Sequence, residues 1–546
     1  MALLLDVYGL LSVILGGFLL TAQSLTFGGI VFLAVVATPL ADEVGTAAIS
    51  RCRWLAQASA AAVILVTAVS LVSEVAVLVD ALDLSFMKGL SAAFVTAGLV
   101  EIAGAAAIVI LLRPGRRPPH ALLALAAIVV LGAAIATSHA IAHPDDRTLL
   151  AVATALHRLC AGTWIGGIPY FLIALAACRD GAARRKVGKR FSQLAMVSVA
   201  VIVATGLTMS VFYIGSFAAF YGTAYGIMVG AKVLLLALLL LLGGMNFLTV
   251  ERLRRNPDTP VLRMRRFAEV EIGIGITVLF VAASITSLPP AADLTNDRVR
   301  LTDYAERLTP HWPSFSSPDQ SSLAISVLQA QLDGQAQLGQ AAPTAFVPGA
   351  GIAPPRNAAN IAWSEYNHHW AGIFVLAIGL LTLAERTGRG NWARNWPLLF
   401  VPLAIFLAYR DSIEAGLVND ISFLALLRDA EYVQHLFFYV LIAAFGFFEW
   451  AVRTGRLRSP RAALLFPILT AVASAGLLTH AHAIANVRDL LLIEITHVPL
   501  AILGIMVAWS RWLELRLDPA EGRLAAWVWP PCMLLVAILL LAYREV

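Results

Sequence analysis

This sequence is short of charge. Asp, Glu, Lys and Arg together make up 13% of its 546 residues, 59% are hydrophobic, and the mean hydropathy is +0.80. A water-facing surface needs more polar groups than that, which excludes a soluble globular chain and leaves the bilayer as its solvent. Cysteine is scarce too. Cys52 and Cys178 are expected at cytoplasmic loops, and Cys160 and Cys532 within helices, so neither a disulfide framework nor an extracytoplasmic redox motif is expected. A Walker sequence is missing, which excludes an ATP-driven pump within this chain, and so are His-Glu-x-x-His and Gly-x-Ser-x-Gly. That favours a transport or metal-binding protein over an enzyme. Met87, Met196, Met209, Met228 and Met245 form no Met-x-x-Met ladder and read as packing residues. No basic stripe interleaved with aromatics is present, so nucleic acid is not an expected partner.

What fills the chain instead is apolar sequence. About fourteen runs of roughly 20 residues recur, each long enough to cross a hydrocarbon core about 30 Å thick as a helix. The first eight lie near Val7 to Pro39, Trp54 to Val79, Gly89 to Leu112, Ala121 to Ala142, Leu149 to Ala177, Phe191 to Ser216, Gly226 to Leu248 and Phe267 to Leu288. Six more lie near Ser364 to Ala384, Trp396 to Ala408, Tyr432 to Ala451, Ala462 to Ile484, Leu490 to Trp509 and Leu524 to Ala542. The expected fold is therefore an all-α polytopic membrane protein. The residues before the first run lack a basic segment, so that run reads as a retained span rather than a cleaved signal peptide.

Lys and Arg collect at Arg113 to Arg117, Arg179 to Arg190, Arg252 to Arg266 and Arg453 to Arg461, while alternate connections hold few. Those connections are expected to be cytoplasmic, which puts both termini outside and accounts for most of the +5 net charge. One connection is long. From Pro289 to Trp363 the composition shifts to Pro, Gln, Asp and Ser, with a possible amphipathic helix over Ser321 to Leu338 and a flexible linker over Ala341 to Pro355. The expected organisation is a membrane module over 1–288, an external loop over 289–363 and a second membrane module over 364–546.

Histidine is distributed unevenly. Of eleven, His139, His143, His157, His368, His369, His435, His480, His482 and His497 fall at or near the outer ends of expected helices. The phrase His-Ala-Ile-Ala occurs twice, at His139 to Ala142 and at His482 to Ala485, each time followed by an apolar segment carrying another histidine, His157 or His497. The two halves therefore read as distant structural copies. A helical spacing of four puts His139 and His143 on one face. Glu494, one turn before His497, is expected to accept its ring N–H, as a carboxylate beside a ligating imidazole commonly does. Imidazole suits copper, zinc and iron, and copper or haem iron are the two readings kept. Glu74, Glu101 and Lys232 sit inside apolar runs and are expected to pair with one another or line a polar path, with Cys160 and Cys178 as further stepping points.

The segment Leu156 to Gly167, with His157, Trp164, Gly166 and Gly167, resembles the signature of the CopD copper-resistance family of bacterial inner-membrane proteins. Arg190-Phe191-Ser192, Thr205-Gly206, Tyr225-Gly226, Lys232, Asn246, Phe267 to Glu271 and Pro289-Pro290 follow in that family's order, so the likeness is strongest over about residues 121–290. It implies a copper-handling protein of the inner membrane, engaged in copper uptake or delivery, with His139, His143 and His157 as an outer copper site and a small periplasmic CopC-type copper protein as partner. Gln434-His435-Leu436, His480, His482 and His497 are more weakly similar to the CtaG family, which helps assemble the copper centre of caa3-type cytochrome oxidases. The alternative is a membrane b-type cytochrome, an oxidoreductase using the same histidines as haem ligands, although no second histidine lies deeper on the same helices.

Overall fold

The computed structural model of the protein describes residues 2–115, 119–142, 144–295, 298–309, 311–319, 358–388, 391–414, 422–428, 430–479 and 487–545. Among them there are helices and turns and no strand. Twelve helices are long and apolar enough to span a membrane, from Val7–Ala37 to Pro519–Leu541, so the chain is an all-α multi-pass membrane protein. Two of the expected spans are shorter helices, His120–Ala136 and Ala462–Leu477. The first ends early because Ser138 turns back, its hydroxyl and its amide N–H both donating to Ile135 O, at 2.7 and 2.9 Å. Local side-chain bonding of this kind competes with helix continuation.

The chain divides into two compact units, Met1–Gly215 with Leu234–Thr286, and Ser216–Val233 with Ser287–Val546. The second unit thus takes in a stretch before residue 288 and also the described part of the long connection. Residues 298–309 fold within it: Val299 N donates to Gly222 O (3.0 Å), Val299 is packed with Leu491 and Leu492, and Arg544 Nη1 donates to Glu306 O (3.2 Å). The expected helix at Ser321 to Leu338 and the linker at Ala341 to Pro355 lie outside the described residues.

In the first unit the packing turns on a missing Cβ. The helix Arg147–Ala161 runs on through a π-helical turn, Gly162–Gly166, into Ile168–Ala177. The backbone of the first helix lies directly against that turn. A Cβ on Gly166 would stand 1.9 Å from Ser24 O, and one on Gly28 would stand 2.4 Å from the Gly166 carbonyl carbon. Close approach through small residues is how helices associate in lipid, where burial of apolar surface drives nothing. The neighbours then lock: Tyr170, fully buried, donates its hydroxyl to Leu25 O (2.8 Å), and Phe191 stacks on Phe171 at 4.7 Å. A second π-helical turn, Leu33–Ala37, is met by Arg190, whose Nη1 donates to Val35 O (3.2 Å). Asp180 starts the helix Gly181–Tyr213 by accepting the Ala183 N–H at 2.8 Å.

The second unit is clasped by charge. Glu449, 1% exposed, accepts from Arg453 Nε (2.7 Å) and Arg511 Nη2 (2.9 Å). Arg511 also reaches Glu514 (2.8 Å), Arg453 reaches Glu385 (2.5 Å), and Arg386 pairs with Glu514. Trp396 and Trp529 donate their indole N–H groups to Glu385 (2.9 Å) and Glu514 (2.7 Å). Three arginines and three glutamates balance, which is how charge is tolerated within helices that span lipid. Beside this clasp lies an aromatic core of Trp396, Phe400, Phe445, Phe466 and Trp529.

These contacts give two expected stability outcomes. Gly166→Ala is expected to destabilise the first unit by about 1–3 kcal/mol, the usual cost of overpacking, since a backbone carbonyl cannot move aside as a side chain can. Glu449→Gln is expected to cost about 3–5 kcal/mol by leaving two buried guanidiniums short of a counter-charge. Thermal unfolding in detergent checks both, and a melting temperature equal to the wild type's would contradict the corresponding contact.

Candidate metal-binding sites

In the first unit His157 is held by the helix Gly181–Tyr213. Its Nδ1 lies 3.0 Å from Thr205 Oγ1, whose own hydrogen is committed to Val201 O at 2.7 Å. The ring must therefore donate from Nδ1, and in the neutral ring the lone pair sits on Nε2. Gly206 keeps the neighbouring space open: a Cβ there would stand 3.7 Å from His157 Cε1. On the same seam Thr154 donates to Met209 Sδ (3.7 Å), and Cys160, half-buried, has the Ser198 hydroxyl as its partner. A soft thioether and a thiol thus share the seam with the imidazole, although Met209 read as packing from sequence.

His139 is exposed on a short 3₁₀ turn, His139–Ala142, with Nε2 2.9 Å from Thr286 O. His139 was expected to share a helical face with His143, but the α-helix has already ended at Ala136. His143 lies outside the described residues. Cys52, expected in a loop, is instead buried inside the helix Thr46–Ala81. Cys178 does follow a helix end, and burial pushes its thiol up to about 11, so it is not the thiolate a metal takes at neutral pH.

The buried carboxylates find partners the sequence did not indicate. Glu101, 5% exposed, accepts from Gln23 Nε2 at 2.5 Å, and the Arg158 guanidinium supplies the nearby positive charge. Gln23 and Arg158, neither of them part of the expectation for Glu74, Glu101 and Lys232, are thus the groups found beside Glu101. Arg158 was legible only as a cation one residue past His157. Glu271, 4% exposed, accepts from Asn246 Nδ2 at 2.6 Å.

In the second unit three histidines carry the same tautomer. His368 donates from Nδ1 to Ser364 O (2.7 Å), His497 from Nδ1 to Ile493 O (3.0 Å), and His435 from Nδ1 to Asp411 Oδ1 (3.0 Å). In the neutral ring each of these bonds puts the lone pair on Nε2, the arrangement usual for ligating histidine. The His368 and His497 rings are 5.9 Å apart, His368 stacks on Tyr543 at 3.8 Å, and His435 is near enough to His368 to act on it electrostatically.

Glu494 is not the acceptor expected for His497: the ring turns back to the carbonyl four residues earlier, and Glu494 Oε2 is buried with no hydrogen-bond partner among the described residues. His369 differs from its neighbour. Fully buried, it donates from Nε2 to Tyr543 O (2.9 Å) and accepts Ser314 N–H at Nδ1 (3.0 Å), so both nitrogens serve the fold. Asp411 and Tyr543 were missed from sequence because only the fold brings them to these histidines. Among the described residues no three His, Cys, Asp or Glu side chains converge on one ion-sized point. His480, His482 and the second His-Ala-Ile-Ala lie outside the described residues.

Residues 185–285 match the family model of copper resistance protein D. The chain is also similar to the copper transport protein CutJ of Bacillus subtilis (strain 168), 33% identical over 156 residues. That match covers 28% of this chain and 28% of CutJ. No solved structure matches. The matched region holds Arg190, Phe191, Thr205, Gly206, Asn246 and Glu271, which in this structure meet the Val35 carbonyl, Phe171, His157 and one another. Across residues 185–285, then, the chain carries a segment of the copper resistance protein D family.

Proposed function

We propose that this protein handles copper in the bacterial inner membrane, taking the ion up or passing it on from the periplasmic side through imidazole donors in both units. The observation that carries the reading is His157 seated against Thr205 and Gly206, inside the segment that matches copper resistance protein D. The name of the Bacillus relative points the same way. In the first unit His157 is the principal donor, with Cys160 and Met209 as softer neighbours and His139 and His143 nearer the surface. In the second unit the donors are His368, His435 and His497, with His480 and His482 from the second repeat. A small periplasmic copper carrier of the CopC type fits as the source of the ion, since copper delivered outside meets the histidine-bearing ends first. Cargo copper at such sites is exchanged by ligand substitution, for which neutral imidazoles are suited donors.

The test is metal analysis of the detergent-purified protein, with an absorption spectrum before and after dithionite. Bound copper without a Soret band is expected. His157→Ala should lower the copper of the first unit alone, and the pair His368→Ala with His497→Ala that of the second alone. A Soret band lost with these histidines would replace copper by haem as the bound group, and simultaneous emptying would mean one shared site. Asp411→Asn is expected to weaken copper binding in the second unit about 10- to 100-fold by releasing the His435 ring. Competition with a chelator of known affinity measures it, and an unchanged affinity would remove His435 from the site.

A further inference from the structure

One buried pair in the first unit has no use in copper binding. Glu271 lies about 13 Å along the helix Leu262–Thr286 from its start, at 1.5 Å per residue. Its carboxyl accepts from Asn246 Nδ2 at 2.6 Å, and its other oxygen lies beside Gly243, where a Cβ would stand 3.8 Å from Glu271 Oε2 and 4.0 Å from Trp164. Asn246 Oδ1 is itself buried, and no hydrogen-bond donor reaches it among the described residues.

Among the described residues no ion pair balances this carboxyl. On its own helix Arg266 pairs with Glu269, and Arg263 lies over Phe267 at 5.0 Å and donates to Met245 Sδ at 3.6 Å. Of the elements packed against it, the turn Gly162–Gly166 has no titratable side chain. Ile168–Ala177 brings Tyr170, which donates to Leu25 O. The first helix brings Tyr8 and Asp6 near its start and Gln23, which serves Glu101. Among the described residues, Asn246 is the hydrogen-bond partner that the structure gives Glu271.

We infer that Glu271 and Asn246 form a neutral, reciprocal acid–amide pair, and that Glu271 is a proton-binding site within the membrane. As a carboxylate, Glu271 would be a buried charge with a single donor among the described residues, paired with an amide whose own oxygen also lacks one. One proton on Oε2 removes both defects, because the acid O–H donates to Asn246 Oδ1 while Asn246 Nδ2 donates to Oε1. Losing that proton leaves two acceptors facing each other, so the helices Ala224–Arg255 and Leu262–Thr286 are latched in the protonated state and unlatched on its release. The proton exchanges with water, and no other reactant is needed.

The experiment is infrared difference spectroscopy of the intact, copper-free protein in detergent at neutral pH, in H2O and D2O. A deuterium-sensitive carboxylic-acid C=O band is expected, absent from Glu271→Gln. That variant should fold, since two amides can pair reciprocally in the same way. In Asn246→Leu the band should persist and shift to the position of an acid without a hydrogen-bonded partner. If Glu271→Gln removes no such band, Glu271 is ionised and the inference fails. If Asn246→Leu leaves the band unmoved, the reciprocal pair does not exist and the inference fails equally. Should Glu271→Gln not fold, the Asn246→Leu shift alone decides.

Discussion

The first unit depends on a backbone contact with no side chain in it. Ser24 O and Gly28 lie against the turn Gly162–Gly166 at distances that admit no Cβ, and the helix leaving that turn takes its place from there. The π-helical turn carries Trp164 and Ile165 into the interior and rotates the next helix so that Tyr170 reaches Leu25 O. Gly275 continues the theme, since a Cβ there would stand 2.4 Å from Ile165. In lipid, where apolar surface gains little by burial, such close van der Waals approach is what distinguishes one helix arrangement from another. His157 is on the helix that enters this turn. Its position is thus fixed by glycines that touch no metal.

Much of the fold was legible because bilayer thickness imposes length on apolar runs. Twelve helices meet the membrane-spanning criterion, and the two that do not, His120–Ala136 and Ala462–Leu477, are still apolar helices where runs were expected. Less legible was where a helix stops. A hydropathy reading carried the fourth run through to Ala142, whereas the hydroxyl of Ser138 closes it at Ala136 and turns His139 into a surface residue. The glycine and aromatic positions of the family signature could be seen, but their reason could not: a Gly-Gly pair in sequence does not say which backbone it must approach.

The sites were legible as residue types and not as arrangements. Histidines at one end of the expected helices could be picked out, yet the bond that fixes each ring joins it to a carbonyl, carboxylate or hydroxyl that spacing alone does not single out. His368 and His369 are adjacent in sequence, but one keeps a lone pair on Nε2 while the other spends both nitrogens on Tyr543 and Ser314. The Arg–Glu clasp was hidden for a related reason. Arg453 read as a topological marker in a basic run, Arg386 and Arg511 carried no reading, and only the folded unit shows all three facing Glu385, Glu449 and Glu514.

The shared tautomer of His157, His368, His435 and His497 bears on how a cation would enter. An imidazole already bare at Nε2 has no hydrogen to shed before it coordinates, whereas a thiol such as Cys160 must lose one. Loading at the rings would therefore be silent in proton count. Any coupling between cation movement and the proton gradient would then have to be carried by other groups, and the carboxyls buried deeper in the spans are the ones the fold supplies.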